Sequence, residues 1–107
     1  MARRVVMRDE RTGRDVRSLT AALADDGTLV IHGHDLGPAT GAVADDGEYE
    51  WVYEHPAATI PDLLAVLGAP RDADVLDVIE QRFTGDGSYA FERLVAESAL
   101  APRLIVL

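Results

Sequence analysis

Cysteine is missing from the chain, and so are lysine and asparagine. Without cysteine there is no disulfide staple and no thiolate metal site, and nothing marks a redox compartment. No stretch approaches the ~20 consecutive apolar residues of a membrane-spanning helix, so a membrane partner is not expected. The opening MARRVVMRDE is charged and has no apolar run, which speaks against a secretory signal and makes a cytoplasmic protein the expectation. Aromatic residues make up only 6% of the chain, so a place where they gather carries weight. All ten basic residues are arginine, and alanine, aspartate, glycine and valine are heavily used. That bias reflects a high-GC genome more than a function.

The apolar share is 48% of 107 residues. This is enough to bury a core and to exclude general disorder, and the length predicts a single domain over 1–107. The net charge of −9 is unevenly spread. Residues 1–17 hold six arginines against three acids, a balance of +3, whereas residues 18–107 hold four arginines against sixteen acids, a balance of −12. Such a surface repels a phosphate backbone, so nucleic acid is disfavoured as a partner. Its ordinary use is solubility. Its specific use would be to attract a basic protein, in the extreme by imitating the charge of DNA.

The stretch TLVIHGHDLG, Thr28 to Gly37, is the cleanest strand pattern. A first strand reads from Arg3 to Arg8 and a second from about Arg14 to Ala24, each followed by a glycine-bearing turn, at Gly13 and at Asp25-Asp26-Gly27. A three-residue loop at the second turn sets Leu23 opposite Leu29, Ala21 opposite Ile31 and Leu19 opposite Gly33. That register segregates an apolar face from one holding Ser18, Thr20, Ala22, Val30, His32 and His34, and segregation of this kind fixes register. The first hairpin has two readings. A three-residue loop brings Val5 and Met7 to the face of Leu19, and a four-residue loop pairs Arg8 with Asp15 and Asp9 with Arg14. Asp35 to Gly47 reads as a crossover or short helical turn. Glu48 to His55 is a fourth strand, with Tyr49, Trp51 and Tyr53 on one face and Glu48, Glu50, Val52 and Glu54 on the other.

Helical periodicity begins at Thr59, an N-cap candidate followed by Pro61 and Asp62. A short helix carries Leu63, Leu64, Val66 and Leu67 and stops at Gly68. Asp72 is the cap expected for a second helix, with Val75 or Leu76, Ile79 and Phe83 inward. Ser88 is the cap expected for a third, with Phe91, Leu94 and Val95 inward and Pro102 as its stop. Leu104 to Leu107 could add a strand or dock on the sheet. Strands first and helices second predict an α+β fold: an antiparallel β-meander of about four N-terminal strands, packed on one face by two to three C-terminal helices.

Candidate chemistry is sparse. His32 and His34 lie two apart on a strand and point the same way. Both could therefore ligate one zinc or iron ion, with Asp35 or the more distant His55 completing the set. The plain alternative is two surface histidines ahead of a turn, with Asp35 bonding the local backbone, and no HExxH or longer histidine series accompanies them. Tyr49, Trp51 and Tyr53 could line an interaction surface together with Glu50 and Glu54, or simply form the core under the helices. Glu48, Glu50 and Glu54, with Asp45 and Asp46, read best as a solvated edge. Gly85-Asp86-Gly87-Ser88 resembles an anion cradle but lacks a lysine, and no serine sits in a nucleophile motif.

The segments TLVIHGHDLGP, EYEW, IPDLLAVLG, DVLDVIEQRF and TGDGSYAFERL resemble, over roughly residues 3–95, a group of small acidic actinobacterial proteins with no known activity. The resemblance implies a family but no catalytic residue. Its members tend to continue beyond the last helix into a short polar and aromatic tail, and SALAPRLIVL departs from that. Acidity, the aromatic stripe and the lack of a catalytic set together favour a non-enzymatic protein-interaction module, immunity-, antitoxin- or regulator-like and without a cofactor. A homodimer is compatible with this reading. The competing reading is a mononuclear metal-binding protein, or metal-dependent enzyme, built on His32, His34, Asp35 and His55.

Overall fold

The structure is a computed structural model and describes residues 3–38 and 47–107. Five strands run β1 (Arg4–Thr12), β2 (Asp15–Leu23), β3 (Leu29–Leu36), β4 (Glu48–His55) and β5 (Arg103–Val106), and pair antiparallel in sequence order. Between β4 and β5 lie a 3₁₀ turn (Ala57–Thr59) and three helices, α1 (Ile60–Val66), α2 (Val75–Arg82) and α3 (Asp86–Ala96). This is the predicted α+β meander with helices on one face, and the apolar C-terminus supplies a fifth strand along β4. The crossover expected between Asp35 and Gly47 falls largely outside the described residues, as do Asp45 and Asp46. No helix among the described residues is long and apolar enough to cross a membrane.

The β2–β3 register is the one that apolar segregation predicts, with Leu19 opposite Gly33, Ala21 opposite Ile31 and Leu23 opposite Leu29. Gly27 takes a φ of 86°, which suits the last position of that loop. The first hairpin follows neither expected reading. Thr12 pairs with Asp15, so the loop is only Gly13-Arg14, with Gly13 at φ 63°. Glycine at the first central position is what a tight two-residue hairpin turn requires.

A bulge then absorbs the difference. Val6 pairs with Thr20 and Arg8 with Leu19, leaving Met7 as the extra residue. Both Met7 and Arg8 are consequently buried. The free carbonyl of Met7 accepts a hydrogen bond from the Gly85 amide at 2.8 Å, which ties the turn before α3 to the bulge. The Arg8 guanidinium donates to Ser88 Oγ at 2.9 Å, pairs with Glu92 and lies 3.6 Å from the centre of the Tyr89 ring. A charge buried this deeply is tolerated because its Nε and Nη2 are bonded, one of them to a carboxylate, and an aromatic ring lies over it.

The core lies between the helices and one sheet face. Val5, Leu19, Ala21, Leu29, Ile31 and Trp51 meet Leu63, Leu64, Val75, Leu76, Ile79, Phe83 and Phe91. Trp51 lies over Gly33, where a Cβ would stand 2.2 Å from the indole, so the cross-strand pair works only with glycine.

The helix boundaries shift from expectation for local reasons. Thr59 precedes α1, but its hydroxyl donates to the Pro56 carbonyl at 2.7 Å instead of capping the helix. Asp74, not Asp72, caps α2, accepting from the Asp77 amide at 3.0 Å. Helix α3 starts at Asp86, ahead of Ser88, and ends at Ala96, well before Pro102. Ser88 is not a cap: it is fully buried, donating to the Gly85 carbonyl at 2.6 Å while accepting from Arg8.

Candidate functional site

Because the helices cover one side of the sheet, every second residue of each strand is left on the other. The register orders this open face into rows. One reads Val6, Thr20, His32, Val52, Ile105, and a second reads Asp9, Ser18, His34, Glu50. Flanking rows carry Arg4, Ala22, Val30, Glu54 and Arg103 on one side and Arg11, Val16, Leu36 and Glu48 on the other. The middle is thus mixed, with Val6, Val52 and Ile105 on either side of Thr20 and His32, and β4 lays three glutamates along it.

His32 and His34 do point the same way, both onto this face. His32 Nε2 lies 2.6 Å from Glu50 Oε2, and His34 Nε2 lies 2.8 Å from Glu48 Oε1. Each is a diagonal cross-strand pair within reach of long side chains. All four side chains keep 29–50% of their surface exposed, so the pairs are well solvated, and such pairs contribute about 0–1 kcal/mol. The ligand atoms of His34, Glu48 and Glu50 all lie within 4.8 Å of one another. Three donor atoms this close together are of the kind that can share one metal ion, with His32 on the same face.

The other two expected ligands are not brought there. Asp35 faces the covered side, where Oδ2 accepts from Arg17 at 2.9 Å and Oδ1 is buried without a partner among the described residues. His55 pairs with Leu29 across β3–β4 and is 2% exposed in the covered layer. Strand parity separates both from His32 and His34. Glu48 and Glu50, which did not enter the predicted ligand set, take their place. Finding them required the β3–β4 register, which the sequence between the two strands does not fix.

The expected interaction residues also divide. Trp51 is a core residue, and Tyr49 stacks on it with ring centres 5.1 Å apart. Tyr53 is half-buried on the same covered face. Glu50 and Glu54 stand on the open face, where Arg103 approaches Glu54 at 3.9 Å.

One further concavity lies on the covered side, between β3–β4 and α3. It is a partly open cleft of about 290 Å³ lined by Ile31, Tyr53, His55, Phe91, Glu92, Val95, Ala96, Leu100 and Pro102. Burial holds the His55 imidazole below the usual histidine range. No protein-family model matches the chain, and the comparisons with curated proteins and with solved structures found no match.

Proposed function

We propose that the chain is a small acidic, non-catalytic protein-interaction module, and that its partner surface is the open face of the sheet. The observation that carries this reading is the one-sided cover. Three helices serve one face of a five-stranded sheet, and the other face sets Val6, Val52, Ile105, Ala22 and Val30 among Thr20 and His32, bordered by Glu48, Glu50 and Glu54. A mixed apolar and polar centre with a charged border suits a transient interface. A net charge of −9 favours a basic partner and fast, salt-sensitive association. The histidine–glutamate pairs suit the role because they are weak and exposed, so their carboxylates can be handed to a partner's arginine or lysine at little cost.

The test compares the wild-type chain with the triple variant Glu48→Gln, Glu50→Gln, Glu54→Gln as immobilised baits in native lysate. A specific protein retained by the wild type, released by moderate salt and lost from the variant is the expected outcome. Equal recovery by both baits, or recovery of nothing, would overturn the reading.

The convergence of His34, Glu48 and Glu50 favours a second reading, a mononuclear zinc or iron site on the same face. It predicts bound metal in purified tag-free protein, or a thermal shift with zinc, iron or manganese that His34→Ala abolishes. Protein free of metal and indifferent to all three ions would end it.

A further inference from the structure

His55 is a buried ionisable side chain of the covered face. It is 2% exposed, and among the described residues nothing hydrogen-bonds its ring. Its ring contact is edge-on packing against Phe91, with centres 6.5 Å apart. A phenylalanine would pack there as well. With no protein partner among the described residues, the imidazole nitrogens are left to whatever occupies the space beside them. Arg8 and Ser88, also set into this layer, are bonded to neighbours, and Asp35 is bonded through Oδ2 while its Oδ1 has no partner among the described residues.

The ring stands at the wall of the 290 Å³ cleft. The cleft is partly open, and an apolar concavity with a polar group at its wall is the usual form of a small-ligand site. At the ~30 Å³ that a water molecule takes up in the liquid, the space holds on the order of ten non-hydrogen atoms. A much smaller space of about 30 Å³, lined by His55, Pro56 and Thr59, lies next to it and is the size of one water. That water could serve one ring nitrogen and would leave the main cleft unexplained.

We propose that this cleft binds a small uncharged amphiphile, an aromatic alcohol or phenol, whose hydroxyl pairs with His55 and whose ring lies among Ile31, Phe91, Val95 and Leu100. A hydroxyl matches His55 because the ring is held neutral by burial and offers one N–H donor and one lone pair. Charge selects against ions. Glu92 lines the cleft and would repel a carboxylate, and its own carboxylate is already engaged by Arg8, with which a cationic ligand would compete. The largely apolar lining accepts an aromatic body.

The experiment is a titration of the full chain with benzyl alcohol and with phenol, followed by the ring resonances of the three histidines and by calorimetry. Toluene, benzoate and benzylamine are the comparisons. The expected result is saturable one-to-one binding of an alcohol, with shifts at His55 and none at His32 or His34. His55→Phe should weaken it about tenfold, the loss of one hydrogen bond, while leaving toluene unaffected. Val95→Trp, which fills the cleft, should abolish it. His55→Gln, which keeps a hydrogen-bonding side chain, serves if either variant loses its near-ultraviolet circular dichroism. No saturable binding at millimolar ligand, tighter binding of benzoate or benzylamine, or shifts confined to His32 and His34 would each overturn the proposal.

Discussion

Leu19 and Thr20 are neighbours in sequence and belong to different chemical worlds. Leu19 faces the helices and is fully buried, whereas Thr20 faces away, between Val6 and His32. The same alternation divides the whole sheet. On the covered face, polar groups are committed: Arg8 is held by Ser88, Glu92 and the Tyr89 ring, and Asp35 by Arg17. On the open face, His32 pairs with Glu50 and His34 with Glu48, and all four side chains remain well exposed. The covered face uses polarity to hold the fold together. The open face keeps its polarity loosely bound, and so available. His55 breaks this division, being covered and yet uncommitted.

The largest test of the division is the adjacent pair itself. Leu19→Ala is expected to cost about 3 kcal/mol through lost burial and a cavity, while Thr20→Ala costs under about 1 kcal/mol. Denaturant unfolding of both variants checks this, and similar losses would deny that the faces differ. Next in size is Arg8→Met, expected to cost about 2 kcal/mol because it strands Ser88 and Glu92. Arg8→Lys should recover little of this, since an ammonium reproduces neither the planar stack on Tyr89 nor both bonds.

A smaller effect concerns pH. The folded His55 takes up its proton only at a pH below the value of the unfolded chain, about 6.5. In the window beneath that value the unfolded state binds more protons, so stability falls as the pH drops from 7 toward 5. His55→Phe should make that decline shallower. Parallel stability–pH profiles for the wild type and the variant would show that the ring does not titrate below its ordinary range in the fold.

Much of the covered face could be read from the sequence, because Leu19, Ala21, Leu23, Leu29 and Ile31 share one parity and a register slip would mix them with Ser18, Thr20, His32 and His34. Tyr49, Trp51 and Tyr53 extend the same parity along β4. His55 continues that series, so the aromatic face was the consistent place for it and a shared site with His32 was not. The bulge at Met7 was hidden for a different reason. Arg8 looks like a surface charge until Ser88 and Glu92 are known to lie beside it, and they come 80 and 84 residues later. The pairing of His32 and His34 with Glu50 and Glu48 was hidden by the connection between β3 and β4, whose sequence did not reveal how the fourth strand would register.

The three histidines divide between the two faces, two open and one covered, and each carries its own ring signal. The most direct test of the open face as the partner surface is to follow those signals while the basic partner retained by the wild-type bait is added. Shifts at His32 and His34 with His55 unmoved are the predicted result. A response at His55 with His32 and His34 unmoved would contradict the account, because it would place the partner on the covered side.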